Sequence, residues 1–212
     1  VTGYERQGIV VEQKEVRILL EQVAGGKMDI DEAMLKLKEA PFEDLGFAKP
    51  DYHRALRQGI AEVIYGAGKT PEQIHDIVAS MVQQGQKSIL ITRMSSEAAE
   101  AVEQDFILKY DKYSRLGLVG EIPEPDGIGK VVVAAAGTSD LPVAEEAAQT
   151  AECFGNEVVR LYDVGVAGLH RLLAHREEIM TARVIVAVAG MEGALASVIG
   201  GLADCPVIAV PT

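Results

Sequence analysis

The sequence predicts an α/β protein whose C-terminal part is a parallel sheet covered by helices. Three observations predict it. Apolar strands recur at 130–136, 157–162, 183–189 and 206–210, separated by helix-length stretches, and strands this uniformly apolar are expected where both faces are covered. The chain has no Trp and only four Phe, so its interior is built from Val, Ile, Leu and Ala. Polar, glycine-containing breaks follow the first three of those strands, where a parallel sheet presents its ligand-binding loops.

In chain order, Val16, Leu19, Leu20 and Val23 stand at helical spacing and stop at Gly25-Gly26. A second short helix starts at Asp29 or Asp31, carries Met34 and Leu37 inward and ends before Pro41. From Ile60, "IAEVIYG" reads as a strand, followed by a turn at 66–69 and a helix from Thr70-Pro71 with Ile74, Ile77, Val78 and Met81 on one stripe. The strand "KSILIT" and a helix over 96–108 complete a small α/β unit that ends near "SRLGLVG". "GEIPEPDGIGK" concentrates Pro, Gly and acidic residues, so the expected division is an N-terminal helical and α/β domain over 1–120, a linker over 121–129 and a second domain over 130–212. In that second domain, helix 142–154 presents Val143, Ala147, Ala151 and Phe154, and helix 191–202 presents Leu195, Val198, Ile199 and Leu202 and closes at Gly200-Gly201.

A formal net charge of −12 argues against a general nucleic-acid binder, so an anionic ligand would have to be held locally by helix N-termini and a few cations. Cys153 and Cys205 have no metal-ligand spacing and are too few for a disulfide framework, and both are expected to pack. No apolar run reaches the roughly 20 residues of a membrane span, and the start lacks signal-peptide architecture; a cytoplasmic protein is expected.

The three strand-end loops should share one rim. Gly137 permits a tight strand exit, Thr138, Ser139 and Asp140 supply N-cap chemistry, and Pro142 suits the first helical turn. Capping alone explains that stretch; free N–H groups flanked by hydroxyls that hold a phosphate explain it as well. In the second loop, Gly165 and Gly168 let backbone approach a ligand, and His170 with Arg171 would either face solvent or meet an anion. In the third, Glu192 lies where a helix begins, between Gly190 and Gly193, and is either structural or close to ligand.

On "GTSD" with its helix, "VAGMEGALASVIGGL" and "CPVIAVPT", residues 130–212 resemble the phosphoribosylaminoimidazole carboxylase, or PurE-like, fold. "LYDVGVAGLHRLL" and "AGMEGALASVIGG" look closer to one branch, the LarB family of pyridinium-3,5-biscarboxylic acid mononucleotide synthases, because the Ser-Ala-His-Arg motif and the His-containing loop of the purine enzymes are replaced here. "DYHRALRQGIAEVIYGAGKTPEQI" is similar to that family's Asp-x-His-Arg-x-x-Arg-x-Gly segment with its Gly-Lys-Thr end, and the resemblance runs from about residue 28 onward.

The resemblance implies a carboxylase and hydrolase of nicotinic acid adenine dinucleotide that takes CO2 or bicarbonate as co-substrate and releases AMP, opening the biosynthesis of the nickel-pincer nucleotide of lactate racemase. A nucleophile adds to the electron-poor ring, the resulting enamine attacks CO2, and loss of the ring proton and the nucleophile restores aromaticity. The family places that nucleophile on a cysteine beyond Val210-Pro211-Thr212, so the chain as given is expected to lack it, and neither Cys153 nor Cys205 takes the role.

Glu192, His170 and Asp140 are then the expected catalytic residues, and Gly137, Thr138, Ser139, Gly165, Gly168, Gly190 and Gly193 the substrate-binding ones. Mg²⁺ is expected at the anhydride, with its ligands unassigned, and no organic prosthetic group. The purine branch forms rings of eight, so the resemblance implies a homo-oligomer, although core packing explains the small residues of "EGALASVIGGL" equally. Arg54, Arg57 and Lys69 either hold an adenylate phosphate or are surface charges. The rivals are an aminoimidazole ribonucleotide carboxylase or mutase and a nucleotide-binding protein without turnover; a Rossmann dehydrogenase is weaker, since no Gly-x-Gly-x-x-Gly follows a strand.

Overall fold

The structure is a computed structural model that describes residues 13–38, 45–52, 54 and 60–212. It divides into two compact units, one of residues 1–109 and 117–120, the other of residues 110–116 and 121–212.

In the first unit, α1 (Gln13–Ala24) and α2 (Ile30–Lys38) pack on each other. A sheet follows in the order β1-β2-β4-β3, built from β1 (Ile64–Tyr65), β2 (Ser88–Thr92), β3 (Leu108–Asp111) and β4 (Leu116–Gly120). β1 runs parallel to β2, and β4 antiparallel to it. The strand expected over 60–66 shrinks to Ile64 and Tyr65, the residues that pair with Ile91 and Thr92. Helix α3 (Pro71–Gln83) starts where expected because Thr70 and Gln73 form a reciprocal cap, the Thr70 hydroxyl accepting the Gln73 N–H and the Gln73 side chain accepting the Thr70 N–H. Its stripe of Ile74, Ile77, Val78 and Met81 is buried, as are Ile89 and Ile91 of β2.

Helix α4 (Ser96–Glu103), capped by Ser95, is shorter than the expected 96–108. The N–H groups of Asp105 and Phe106 both return to the Val102 carbonyl, closing the helix and freeing residues 108–111 to form β3. His75 on α3 meets this corner, with Nε2 2.9 Å from an Asp105 carboxylate oxygen and its ring 5.6 Å from that of Phe106. The hydrogen bond to Asp105 raises the His75 pKa; burial opposes it, and Asp76 adds to the rise. A histidine raised by folding contributes stability that is fully present below its unfolded value, about 6.5, and lost as pH rises through the folded value. Asp105→Asn is therefore expected to lower the melting temperature at pH 5.5 and to leave it unchanged once the pH is above the raised His75 value. Screened by solvent, the contribution is about 0.5 kcal/mol.

The second unit holds β5 (Lys130–Ala135), β6 (Glu157–Leu161), β7 (Val184–Ala189) and β8 (Val207–Pro211), all parallel, in the order β6-β5-β7-β8. Alternation along each strand divides the core. Val132, Ala134, Ile185 and Ala187 face one side and pack with Leu172, Ile179, Leu195 and Ile199. Val131, Val133, Ala135 and Val188 face the other and pack with Ala144 and Ala148. The sheet is thus the middle of three layers, with α5 (Leu141–Cys153) on one face and α6 (Leu169–Leu173), α7 (Arg176–Met180) and α8 (Ala194–Gly200) on the other.

Some details differ from the sequence expectation. The stripe of α5 centres on Ala144 and Ala148, one position beyond Val143 and Ala147, and leaves Phe154 36% exposed. Helix α8 starts at Ala194, not 191, because Gly193 takes a left-handed conformation (φ 64°) as its N-cap. Gly201 is right-handed (φ −80°), so α8 closes through Gly201, Leu202 and Ala203 N–H groups returning to Ser197, Val198 and Ile199 carbonyls rather than through a left-handed glycine. Among the described residues no helix is long and apolar enough to cross a membrane.

Candidate functional site

All four strands of the second sheet end on one edge, so the loops at 137–140, 163–168 and 190–193 lie on a common rim. Strand order makes one point on that rim special. From β5 the chain leaves over one face to β6, and from β7 over the opposite face to β8. Connections that diverge this way open a crevice between neighbouring strand ends, the usual ligand position in open parallel sheets. The loops bordering it are Gly137 to Asp140 after β5 and Gly190 to Gly193 after β7.

In the first loop, Gly137 is extended and Thr138–Asp140 form a 3-10 turn leading into α5. Thr138 and Ser139 open that turn, so their N–H groups precede its first internal hydrogen bond, and both side chains are exposed. Asp140 does not cap α5 with its side chain. Only 5% exposed, it turns back: Oδ2 accepts the Gly137 N–H at 2.9 Å and Oδ1 accepts the Thr212 hydroxyl at 2.6 Å. The Asp140 N–H donates to the Gly137 carbonyl, which closes the turn on itself.

The second loop is tied to the end of β5, the Val164 and Gly165 N–H groups donating to the Ala135 and Ala136 carbonyls. Its 3-10 turn, Val166–Gly168, packs against α8. Arg171 is not available to an anion as a free cation: it pairs with Asp163, and its guanidinium lies over Gly168, where a Cβ would stand 2.6 Å from Nε. His170 is exposed on α6 and makes no hydrogen bond with Glu192 among the described residues.

In the third loop, Glu192 lies in the turn before α8 and is exposed. Met191 beside it is fully exposed with φ 54°, a backbone conformation that non-glycine residues adopt mainly where something else holds them. A Cβ on Gly190 would stand 3.1 Å from the Thr212 hydroxyl, so part of the room at this glycine is filled by the chain itself.

Cys205 precedes β8, at the strand-entry edge opposite the rim, and Cys153 ends α5; neither reaches the loops. Among the described residues no three His, Cys, Asp or Glu side chains gather as a metal site, and two rim carboxylates are engaged, Asp140 by Gly137 and Thr212 and Asp163 by Arg171. The described residues thus make no protein-built cation site. In the first unit, Lys69 Nζ donates to the Tyr65 carbonyl at 2.7 Å, and Arg54 Nε is buried and has no hydrogen-bond partner among the described residues. Arg57 lies outside the described residues.

A residue the sequence reading missed also reaches the rim. The Tyr113 hydroxyl, from the turn between β3 and β4, donates to the Thr138 carbonyl at 3.3 Å. A local signal for that turn exists in Asp111, whose carboxylate accepts the Tyr113 N–H two residues on. Nothing local indicates what the turn touches.

The second unit is thus a doubly wound α/β unit whose topological switch point lies between β5 and β7. Residues 42–121 match the family described as LarB/PurE-like N-terminal domain, and residues 130–212 match that described as AIR carboxylase. An uncharacterized protein of Methanocaldococcus jannaschii is 36% identical over 208 residues, covering 94% of this chain and 81% of that protein. The chain belongs to the LarB family, whose C-terminal domain is of the PurE-like carboxylase type.

Proposed function

We propose that this protein carboxylates the pyridinium ring of nicotinic acid adenine dinucleotide and hydrolyses its phosphoanhydride, yielding pyridinium-3,5-biscarboxylic acid mononucleotide and AMP as the first step of nickel-pincer nucleotide biosynthesis for lactate racemase. The observation that carries it is the combination of the LarB-type N-terminal and PurE-like domains in one chain with a switch-point crevice walled by small, polar loops. In balance, CO2 adds to a ring carbon that gives up a proton, and one water is consumed in splitting the anhydride.

The chain's own residues supply binding and proton transfer. The Thr138 and Ser139 N–H groups and hydroxyls face the mononucleotide phosphate, for which a turn opening into a helix N-terminus is suited. Gly137, Gly165, Gly168, Gly190 and Gly193 keep the rim backbone open to the substrate. Glu192, exposed at the rim, accepts or delivers the proton, with His170 assisting. Asp140 holds the first loop in shape, because both of its oxygens are already occupied. Mg²⁺, if it accompanies the substrate, would be held by the phosphate oxygens and would offset charge at the anhydride. The same reading makes the protein a cytoplasmic homo-oligomer that handles a dinucleotide and AMP and no nucleic acid, the assembly being checked by light scattering.

Incubation of the full-length protein, in which the cysteine nucleophile expected from the family is present, with nicotinic acid adenine dinucleotide and ¹³C-bicarbonate, followed by mass spectrometry, is the direct test. Labelled biscarboxylated mononucleotide together with AMP is the expected result. Since residues 130–212 match AIR carboxylase, aminoimidazole ribonucleotide is the substrate to run beside it; carboxylation of that compound alone overturns the proposal. Saturable dinucleotide binding without AMP release overturns it in favour of a binding protein. Glu192→Gln is expected to slow product formation by roughly 10²-fold, the usual worth of a positioned proton-transfer group. Its melting temperature should match that of the unaltered protein, since the side chain is exposed.

A further inference from the structure

Residues 110–116, the end of β3, the turn after it and the first residue of β4, belong to the compact unit of the parallel sheet. Asp111 organises this turn. Its carboxylate accepts the Tyr113 N–H at 2.9 Å, the Ser114 hydroxyl at 2.9 Å and the Gln149 side-chain amide of α5 at 2.7 Å. Burial pushes the Asp111 carboxyl up, but the hydrogen bonds from Gln149, Tyr113 and Ser114 outweigh it and hold the group below the usual carboxylate range. Ser114 is buried beneath the turn, and Arg115 closes it in a left-handed conformation (φ 58°). Gln149 also donates to Glu145, which accepts the Tyr162 hydroxyl and an Arg160 N–H. The turn is thus fastened to the helix that begins immediately after Asp140.

Tyr113 carries the aromatic ring of this turn to the surface. Its hydroxyl donates to the Thr138 carbonyl, while 48% of the residue stays exposed. Tyr162, a tyrosine just past the end of β6, is half buried with its hydroxyl committed to Glu145. An aromatic ring held beside the turn that faces a ribose phosphate, with much of its surface open, is placed to cover the base attached to that ribose. A Tyr face carries negative charge density and attracts a cation, so a positively charged heteroaromatic ring is favoured over a neutral one.

We infer that Tyr113 is a substrate-binding residue of this site, its ring stacking on the pyridinium ring of the mononucleotide half of the substrate. The inference rests on the proposed function and adds to it the side chain that covers the pyridinium ring.

The chain contains no Trp, so Tyr113→Trp introduces a single indole at an exposed position. Titration with nicotinic acid mononucleotide is expected to quench its fluorescence saturably, and AMP to leave it nearly unchanged. By calorimetry, Tyr113→Ala is expected to weaken mononucleotide binding roughly tenfold, in line with loss of one aromatic–cation contact, while Tyr113→Phe, which keeps the ring, retains most of the affinity. Equal quenching by AMP, or an unchanged affinity in Tyr113→Ala, overturns the inference and leaves the proposed function standing. Failure of the unaltered protein to bind the mononucleotide at all overturns both.

Discussion

Replacing Asp140 with alanine is expected to destabilise the second unit by about 2–3 kcal/mol, the cost of losing charge-assisted hydrogen bonds and leaving a part-buried donor unsatisfied. The effect has a specific origin. Oδ2 is the acceptor for the Gly137 N–H, and Oδ1 joins the first loop to Thr212 beside Gly190. With a methyl group at 140, both ties go at once, and relief from burying a carboxylate offsets only part of the loss. Asp140→Asn keeps a carbonyl oxygen for one of the two donors and should retain roughly half of that stability. Hydrogen exchange at the Gly137 amide, which should accelerate strongly in the alanine variant, separates a local opening from a global one. Nicotinic acid mononucleotide binding is expected to fall at least tenfold in Asp140→Ala, because the N–H groups of Thr138 and Ser139 are aligned only while the turn is closed. Undiminished binding with a lowered melting temperature would mean that the turn is scaffold and the phosphate lies elsewhere.

The contrast between the two units shows what is legible in a sequence of this kind. Strands β5 to β8 fall within a residue or two of the apolar runs; the inner strands β5 and β7 are buried along most of their length and need apolar residues at nearly every position, while β6 and β8 at the sheet edges are only partly covered. In the first unit β2 and β4 are buried at successive positions, but β3 at the sheet edge is not, and there the signal weakens. Phe106, Ile107 and Leu108 continue the apolar spacing of Ala98, Ala99 and Val102, so a longer helix is the natural reading. The helix nevertheless stops at Glu103, and Leu108 begins a strand. Strand β3 reads Leu108-Lys109-Tyr110-Asp111, half exposed along its length, and makes no period-2 signal strong enough to compete. Helices α6 and α7 occupy one helix-length stretch, but the chain breaks at Ala174-His175, with Leu172 and Ile179 buried on either side.

For the site, legibility follows the range of the interaction. The three rim loops were readable because parallel strands with crossover helices put their C-terminal ends on one edge, a consequence of topology that needs no side-chain detail. The Asp163–Arg171 pair spans eight residues and still escaped, since spacing alone does not distinguish an arginine facing a ligand from one facing its own loop. Tyr113 meets Thr138 across 25 residues and Thr212 meets Asp140 across 72; no periodicity or motif encodes such meetings. They arise only when the turn and the sheet are folded.

The second large effect is expected at Gly165, where alanine should cost the second unit about 1–3 kcal/mol, as overpacking of a tight site does. Its φ of −59° suits any residue, so backbone conformation is not the reason. A Cβ there would stand 2.7 Å from the Ala136 carbonyl oxygen and 3.4 Å from its carbon, and these are backbone atoms without a rotamer to yield. Ala136 is itself pinned, its N–H donating to Val188 and its carbonyl accepting the Gly165 N–H. Relief therefore has to come from moving the second loop away from the end of β5, which opens the rim. Gly137 supplies the comparison, because an added Cβ would meet only Asp140 Oδ2, at an ordinary 3.8 Å, and its extended backbone accepts any residue. Gly137→Ala should melt like the unaltered protein, yet bind nicotinic acid mononucleotide several-fold less tightly, since the methyl group occupies space at the crevice that the proposed reading gives to substrate. If both variants lose stability and neither changes affinity per folded molecule, the rim glycines serve packing alone. If Gly137→Ala loses affinity while its melting curve stays in place, the glycine is there for the ligand, and its neighbour at 165 is there for the sheet.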